Sequence, residues 1–115
     1  MDEQLRRVLE AHTLPCGAVI ATPGVVVARA GDFEAFGSPG LVSAVLGPDG
    51  SPTATLGGLG GQELPQLWEQ GDAFAFVDQP APDLAVVVFG RDRGGWVERV
   101  RLSQDVGRTI RETFA

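Results

Sequence analysis

Lysine and tyrosine are absent from these 115 residues, and cysteine, histidine and methionine occur once each. Each scarcity removes a class of function. A single cysteine, Cys16, excludes an internal disulfide. A single histidine, His12, leaves no nucleophile–base pair to argue for. With so few nitrogen and sulfur ligands, only scattered carboxylates remain for a metal, and a metal needs clustered ligands. The nine basic residues are all arginine and face fifteen acids, for a net charge of −6. With a pI of about 4.6 and no basic run, nucleic acid and anionic membrane surfaces are poor partners. No stretch approaches the ~20 apolar residues of a membrane span. The acidic opening Met1-Asp2-Glu3-Gln4, with no apolar run after it, predicts no signal peptide. Together with the lone thiol this predicts a reducing cytoplasm.

Apolar material, by contrast, is plentiful. Hydrophobic residues make up 43% of the chain, which is long enough to bury a core without staples, so 1–115 reads as one domain. Leu5, Val8, Leu9 and His12 fall at i, i+3, i+4 and i+7, one stripe of a helix over Asp2 to His12. Its first-turn acids suit the helix dipole. Pro15 ends it. Two apolar β-branched runs, Cys16–Ala21 and Val25–Ala30, flank a Thr22-Pro23-Gly24 turn and predict a central hairpin. Asp32 can cap a helix beginning at Phe33. Gly37-Ser38-Pro39-Gly40 should break that helix, and Leu41–Leu46 can form a second short one. The segment 47–61, with its Gly57-Gly58-Leu59-Gly60-Gly61 run, predicts a long flexible loop.

Leu64–Glu69 reads as a strand or a short turn, and Ala73–Val77 and Leu84–Phe89 as a second hairpin around a rigid Gln79-Pro80-Ala81-Pro82-Asp83 turn. Over Gly95 to Ala115, Trp96, Val100, Ser103, Gly107, Ile110 and Phe114 share one face of a single long helix, opposite Glu98, Arg101, Asp105, Arg108 and Glu112. The competing reading makes Trp96–Leu102 a strand and starts a shorter helix at Ser103.

None of the polar motifs specifies a reaction. His12 lies on an apolar stripe and reads as a half-buried structural residue, and Cys16 opens a hydrophobic strand as an inert buried thiol. Asp49 and Asp78 fall in turn-like stretches where aspartate serves turn geometry. The glycine run lacks the Lys-Ser/Thr of a phosphate loop and does not have G-x-G-x-x-G spacing. Arg91, Arg93 and Arg99 interleave with Asp92 and Glu98 as a self-paired solvated surface. The surplus is apolar. Phe33, Phe36, Leu41, Val42, Val45 and Leu46 offer more hydrophobicity than a short, broken helix needs. They cover one face of a sheet, form an interface with a subunit or partner, or do both. The strand carrying Phe74 and Phe76 is a candidate edge for sheet pairing.

The first hairpin resembles that of the Roadblock/LC7 superfamily. Gly17-Ala18-Val19-Ile20, then Gly24-Val25-Val26-Val27-Ala28 and Gly31-Asp32, look like that family's glycine- and aliphatic-rich pattern. Leu84-Ala85-Val86-Val87-Val88 and the terminal amphipathic helix fall where the family places its last strand and last helix. The resemblance spans nearly the whole chain. It implies an α/β sandwich of order α-β-β-α-β-β-β-α, with a five-stranded antiparallel sheet, the second helix on one face and the terminal helices on the other. It further implies a non-catalytic protein without a cofactor. Such a protein would pair sheet edges and second helices into a homodimer, or join another Roadblock protein, and would serve a Ras-like GTPase in bacterial polarity or gliding motility as an activator or scaffold. The family's second helix is usually long and continuous. Its interruption here favours an adaptor or scaffold over direct GTPase activation. A different class of function, a small-molecule-sensing PAS or profilin-like module, would place a ligand between sheet and helices with the 47–61 loop as a lid.

Overall fold

A computed structural model describes residues 1–21, 24–47, 66–91 and 94–114. The order is α1 (Asp2–His12), β1 (Cys16–Ala21), β2 (Val25–Gly31), α2 (Phe33–Phe36), α3 (Pro39–Leu46), β3 (Gln66–Gln70), β4 (Ala73–Ala81), β5 (Leu84–Arg91) and α4 (Trp96–Thr113). The five strands form one antiparallel sheet of order β2-β1-β5-β4-β3. This is the α+β sandwich expected from the sequence, and its second helix is indeed in two short pieces. The predicted loop 47–61 lies, apart from Gly47, outside the described residues.

Strand alternation divides the core into two layers. Cys16, Ala18, Ile20, Ala73, Ala75, Val77, Ala85, Val87 and Phe89 face α2 and α3. Val19, Ala28, Ala30, Phe74, Phe76, Val86 and Val88 face α1 and α4. Leu5, Val8 and Leu9 of α1 bury against that second face, as the stripe predicted. Half-buried His12 closes it: its Nε2 lies 2.8 Å from Thr109 Oγ1. The Thr109 hydroxyl donates to the Asp105 carbonyl at 3.0 Å. With that proton committed, the imidazole Nε2–H is the donor to Thr109. His12 therefore links α1 to α4 as a structural residue.

Three expectations change. The first hairpin is not central as a whole. β1 lies between β2 and β5, but β2 is an edge strand with Val25 and Val27 exposed. Val27 is the extra residue where the register steps from Val19↔Ala28 to Ile20↔Val26. The proposed 79–83 turn is mostly strand: β4 runs to Ala81 with an irregularity after Asp78. A proline is tolerated where such an irregularity interrupts the ladder. Asp78 is therefore no turn residue. It is 1% exposed, with Oδ2 3.0 Å from Arg111 Nε of α4 and Oδ1 accepting the Gln79 backbone N–H at 2.8 Å. Finally, the terminal segment is one long helix, as its shared face predicts, but the stripe is not buried to its end. Ser103, Val106, Gly107 and Ile110 are buried, but Trp96, first on the predicted stripe, is 65% exposed. Arg99, three residues later, pairs with Glu69 of β3 and lies over the Phe74 ring near the start of β4. At 1.5 Å per residue the helix has outrun the sheet by the time it reaches back to Trp96.

Candidate functional site

The two faces of the sheet are covered unequally. The helices over the Phe74/Phe76 face have 11 and 18 residues; those over the opposite face have 4 and 8. The thin α2/α3 layer leaves a margin of half-buried apolar side chains: Val26, Phe33, Val42 and Trp68. This margin is the candidate interaction surface.

Local sequence explains the thinness. Asp32 caps α2, its Oδ1 accepting the Ala35 N–H at 2.9 Å. Gly37 ends that helix at φ 71°, a left-handed conformation that favours glycine. Pro39 then restarts the chain in the first turn of α3, where its missing N–H costs nothing. Arg91, at the end of β5, holds the break. Its Nε donates to the Phe36 carbonyl at 2.9 Å, one terminal nitrogen donates to Ser38 Oγ at 2.6 Å, and the other to Asp72 Oδ1 at 2.5 Å. Its guanidinium also lies 5.3 Å from the Phe36 ring centroid. One side chain thus ties both short helices to the β3–β4 turn. Between them opens a cleft of about 470 Å³ lined by Phe33, Glu34, Gly37, Pro39 and Val42.

The structure separates the residues proposed from sequence into three groups. Phe36, Leu41, Val45 and Leu46 are buried within the chain and form the α2/α3 side of its core; their apparent surplus is spent on the sheet. Phe33 and Val42 remain half-buried at the cleft, with Phe33 also edge-on to Phe89 at 5.8 Å. Phe74 and Phe76 are fully buried on the opposite face, stacked at 4.8 Å. Their strand lies between β5 and β3, so it is not a sheet edge. Strand length could not distinguish edge from interior, because neighbours in a sheet are set by topology. The edges are β2, which carries a bulge and the exposed Arg29, and β3, whose five pairs with β4 are regular. Each edge carries an exposed charge, Arg29 on β2 and Glu69 on β3, but only β2 has a bulge, and a bulge guards an edge against pairing, which leaves β3 as the less protected of the two.

Of the arginines read as a self-paired surface, two reach partners outside their own segment. Arg91 reaches Asp72 and Arg99 reaches Glu69; Asp92 and Arg93 lie outside the described residues. Arg91's clamp had no signal in the sequence beyond a charge at a strand end.

No cluster of three or more possible metal ligands occurs among the described residues, and no described helix is long and apolar enough to cross a membrane. A groove of about 600 Å³ opens by the end of α1 and is lined by Arg6, Leu9, Glu10, Thr13, Leu14, Pro15 and Gly31, away from the α2/α3 margin. Burial, with a smaller contribution from the Asp32 carboxylate, pushes the Cys16 thiol from 9.0 up to about 12. Native protein is therefore expected to resist a thiol reagent such as DTNB at about pH 8, below even the unperturbed thiol pKa, and to react fully once unfolded in urea. Fast labelling of the native state would refute the burial. The raised value also sets a pH dependence. The folded state holds this proton more tightly, so its contribution to stability is intact below about pH 9 and is lost as pH rises toward about 12.

No protein-family model and no curated protein matches the sequence. Solved structures do resemble it. MglB of Myxococcus xanthus superposes with a TM-score of 0.61 at 16% identity, covering 98% of this chain and 93% of that one. The gliding protein MglB of Thermus thermophilus gives 0.53 at 11% identity, over 97% and 89%. A Roadblock/LC7 domain from Streptomyces avermitilis gives 0.52 at 18% identity, over 93% and 94%. Across its length, then, the chain has the Roadblock/LC7 fold.

Proposed function

We propose that this chain is a non-catalytic regulatory adaptor that works by protein contact. It binds a second Roadblock-type chain, its own copy or another, and through it serves a Ras-like GTPase system in the polarity or motility of a bacterial cytoplasm. The observation that carries the reading is the thinly covered α2/α3 face, where Phe33, Val42 and Trp68 are left half-buried at the margin of the core on a chain of Roadblock/LC7 fold. The unbulged β3 edge beside Trp68 adds a place for strand pairing. The broken second helix, pinned by Arg91, supports an adaptor over an activator, because it offers no long continuous helical ridge to a GTPase.

The test is size-exclusion light scattering and affinity capture with wild type and Val42→Asp. Half-buried Val42 allows the variant to fold while placing a charge at the apolar contact. A wild-type oligomer, or capture of an identified Roadblock protein or Ras-like GTPase, that is lost in the variant supports the reading. A strictly monomeric wild type that captures neither overturns it.

A further inference from the structure

Two features of the surface fit each other. The first is the overhang of α4. Trp96 continues the buried stripe of that helix past the end of the sheet, so the apolar face outlasts the core meant to cover it. Trp96 is 65% and Val97 55% exposed, and one turn beyond Val97 stands Arg101, exposed and in no ion pair among the described residues. The second is the cleft at the α2–α3 break. Its lining is apolar except for Glu34, which is likewise exposed and in no ion pair among the described residues.

We infer that the Trp96–Val97 knob of one copy seats in the Phe33/Pro39/Val42 cleft of a second copy, with Arg101 of the first facing Glu34 of the second. The chemistry is complementary in both respects that matter. A large, flat, amphipathic side chain meets an apolar recess, and the cation flanking the knob meets the carboxylate on the rim of the recess. Tryptophan is among the residue types that most often anchor interfaces, and opposed rim charges fix register and orientation more than affinity. The cleft exists because the second helix is broken and held open by Arg91, so this contact depends on that break. It rests on the reading of the α2/α3 face as a contact surface and adds which group occupies it.

The experiment is sedimentation velocity on the full chain over a range of concentrations. The variants are Trp96→Ala, Glu34→Arg, Arg101→Glu, the double reversal and Val42→Asp, with far-UV circular dichroism to confirm folding. Trp96, Glu34 and Arg101 are all exposed, so these variants are expected to fold. Trp96→Ala is expected to weaken self-association by roughly thirtyfold, the size of a lost tryptophan anchor. Each single charge reversal weakens it, and the double reversal restores it. A wild type that does not self-associate overturns the proposal, as does a Trp96→Ala chain that associates like wild type or a double reversal no better than the singles. If Val42→Asp abolishes association while Trp96→Ala does not, the knob is wrong and the α2/α3 contact surface survives. If neither has an effect, both fail.

Discussion

Val45→Asp is expected to unfold the protein rather than release a folded monomer. Val45 is fully buried, on the inner face of α3 among residues that contact the sheet. A carboxylate there would have to be ionised without a partner, protonated or expelled. An unpaired buried charge costs about 3–5 kcal/mol or more, a large part of the ~5–15 kcal/mol that holds a domain of this size. Val42→Asp, three residues earlier and half-buried at the cleft, should leave far-UV circular dichroism and the urea midpoint close to wild type. The two substitutions differ only in which side of one short helix receives the charge. A folded Val45→Asp monomer would mean that α3 is not docked on the sheet as described, and the assignment of this residue to core would be wrong.

Gly31→Ala is the second substitution expected to be severe. Gly31 ends β2 at φ +85°, and a Cβ placed on it would lie 2.1 Å from the Pro15 carbonyl oxygen and 2.6 Å from Cys16 Cα. Both neighbours are backbone, so no side-chain rotation relieves the clash. The same Pro15 oxygen accepts the Asp32 N–H at 3.1 Å, and Asp32 caps α2. Moving it therefore disturbs the end of the first hairpin and the start of the α2/α3 layer together. Backbone strain alone is worth about 1–3 kcal/mol. The forced separation adds to it, so a loss of about 3 kcal/mol or more is expected in urea unfolding followed by tryptophan fluorescence. Gly71→Ala supplies the control. Its φ is +62°, but no heavy atom lies within 4 Å of a Cβ there, so only the conformational cost of about 1 kcal/mol applies. Equal losses in the two variants would show that the contact with Pro15 is not what demands glycine at position 31.

These residues also show how far the sequence can be read. Gly31-Asp32 is legible as a strand stop followed by a helix cap, and the cap is made as expected. The glycine's necessity is not legible, because it comes from Pro15, a distant residue in the chain that becomes adjacent only after the hairpin closes. Val45 and Val42 are equivalent in sequence, as apolar residues of one short segment. Trp96 does sit on the helical stripe, but the stripe does not reveal that it is left uncovered. Periodicity fixes the face of a residue and not the length of the sheet beneath it.

By itself the sequence determined α1 with its buried stripe, the first hairpin, the strands through Ala73–Val77 and Leu84–Phe89, the break in the second helix and the cap at Asp32. All of these follow from local periodicity, capping and composition, which act over a few residues. Tertiary structure alone decided that β4 is interior and β3 an edge, that Asp78 is a buried partner of Arg111, that Arg91 clamps the helix break, and which apolar residues of α2 and α3 remain at the surface. Those outcomes depend on which distant segments become neighbours. Burial, edge position and ion pairing are properties of that arrangement, and residue type alone does not fix them.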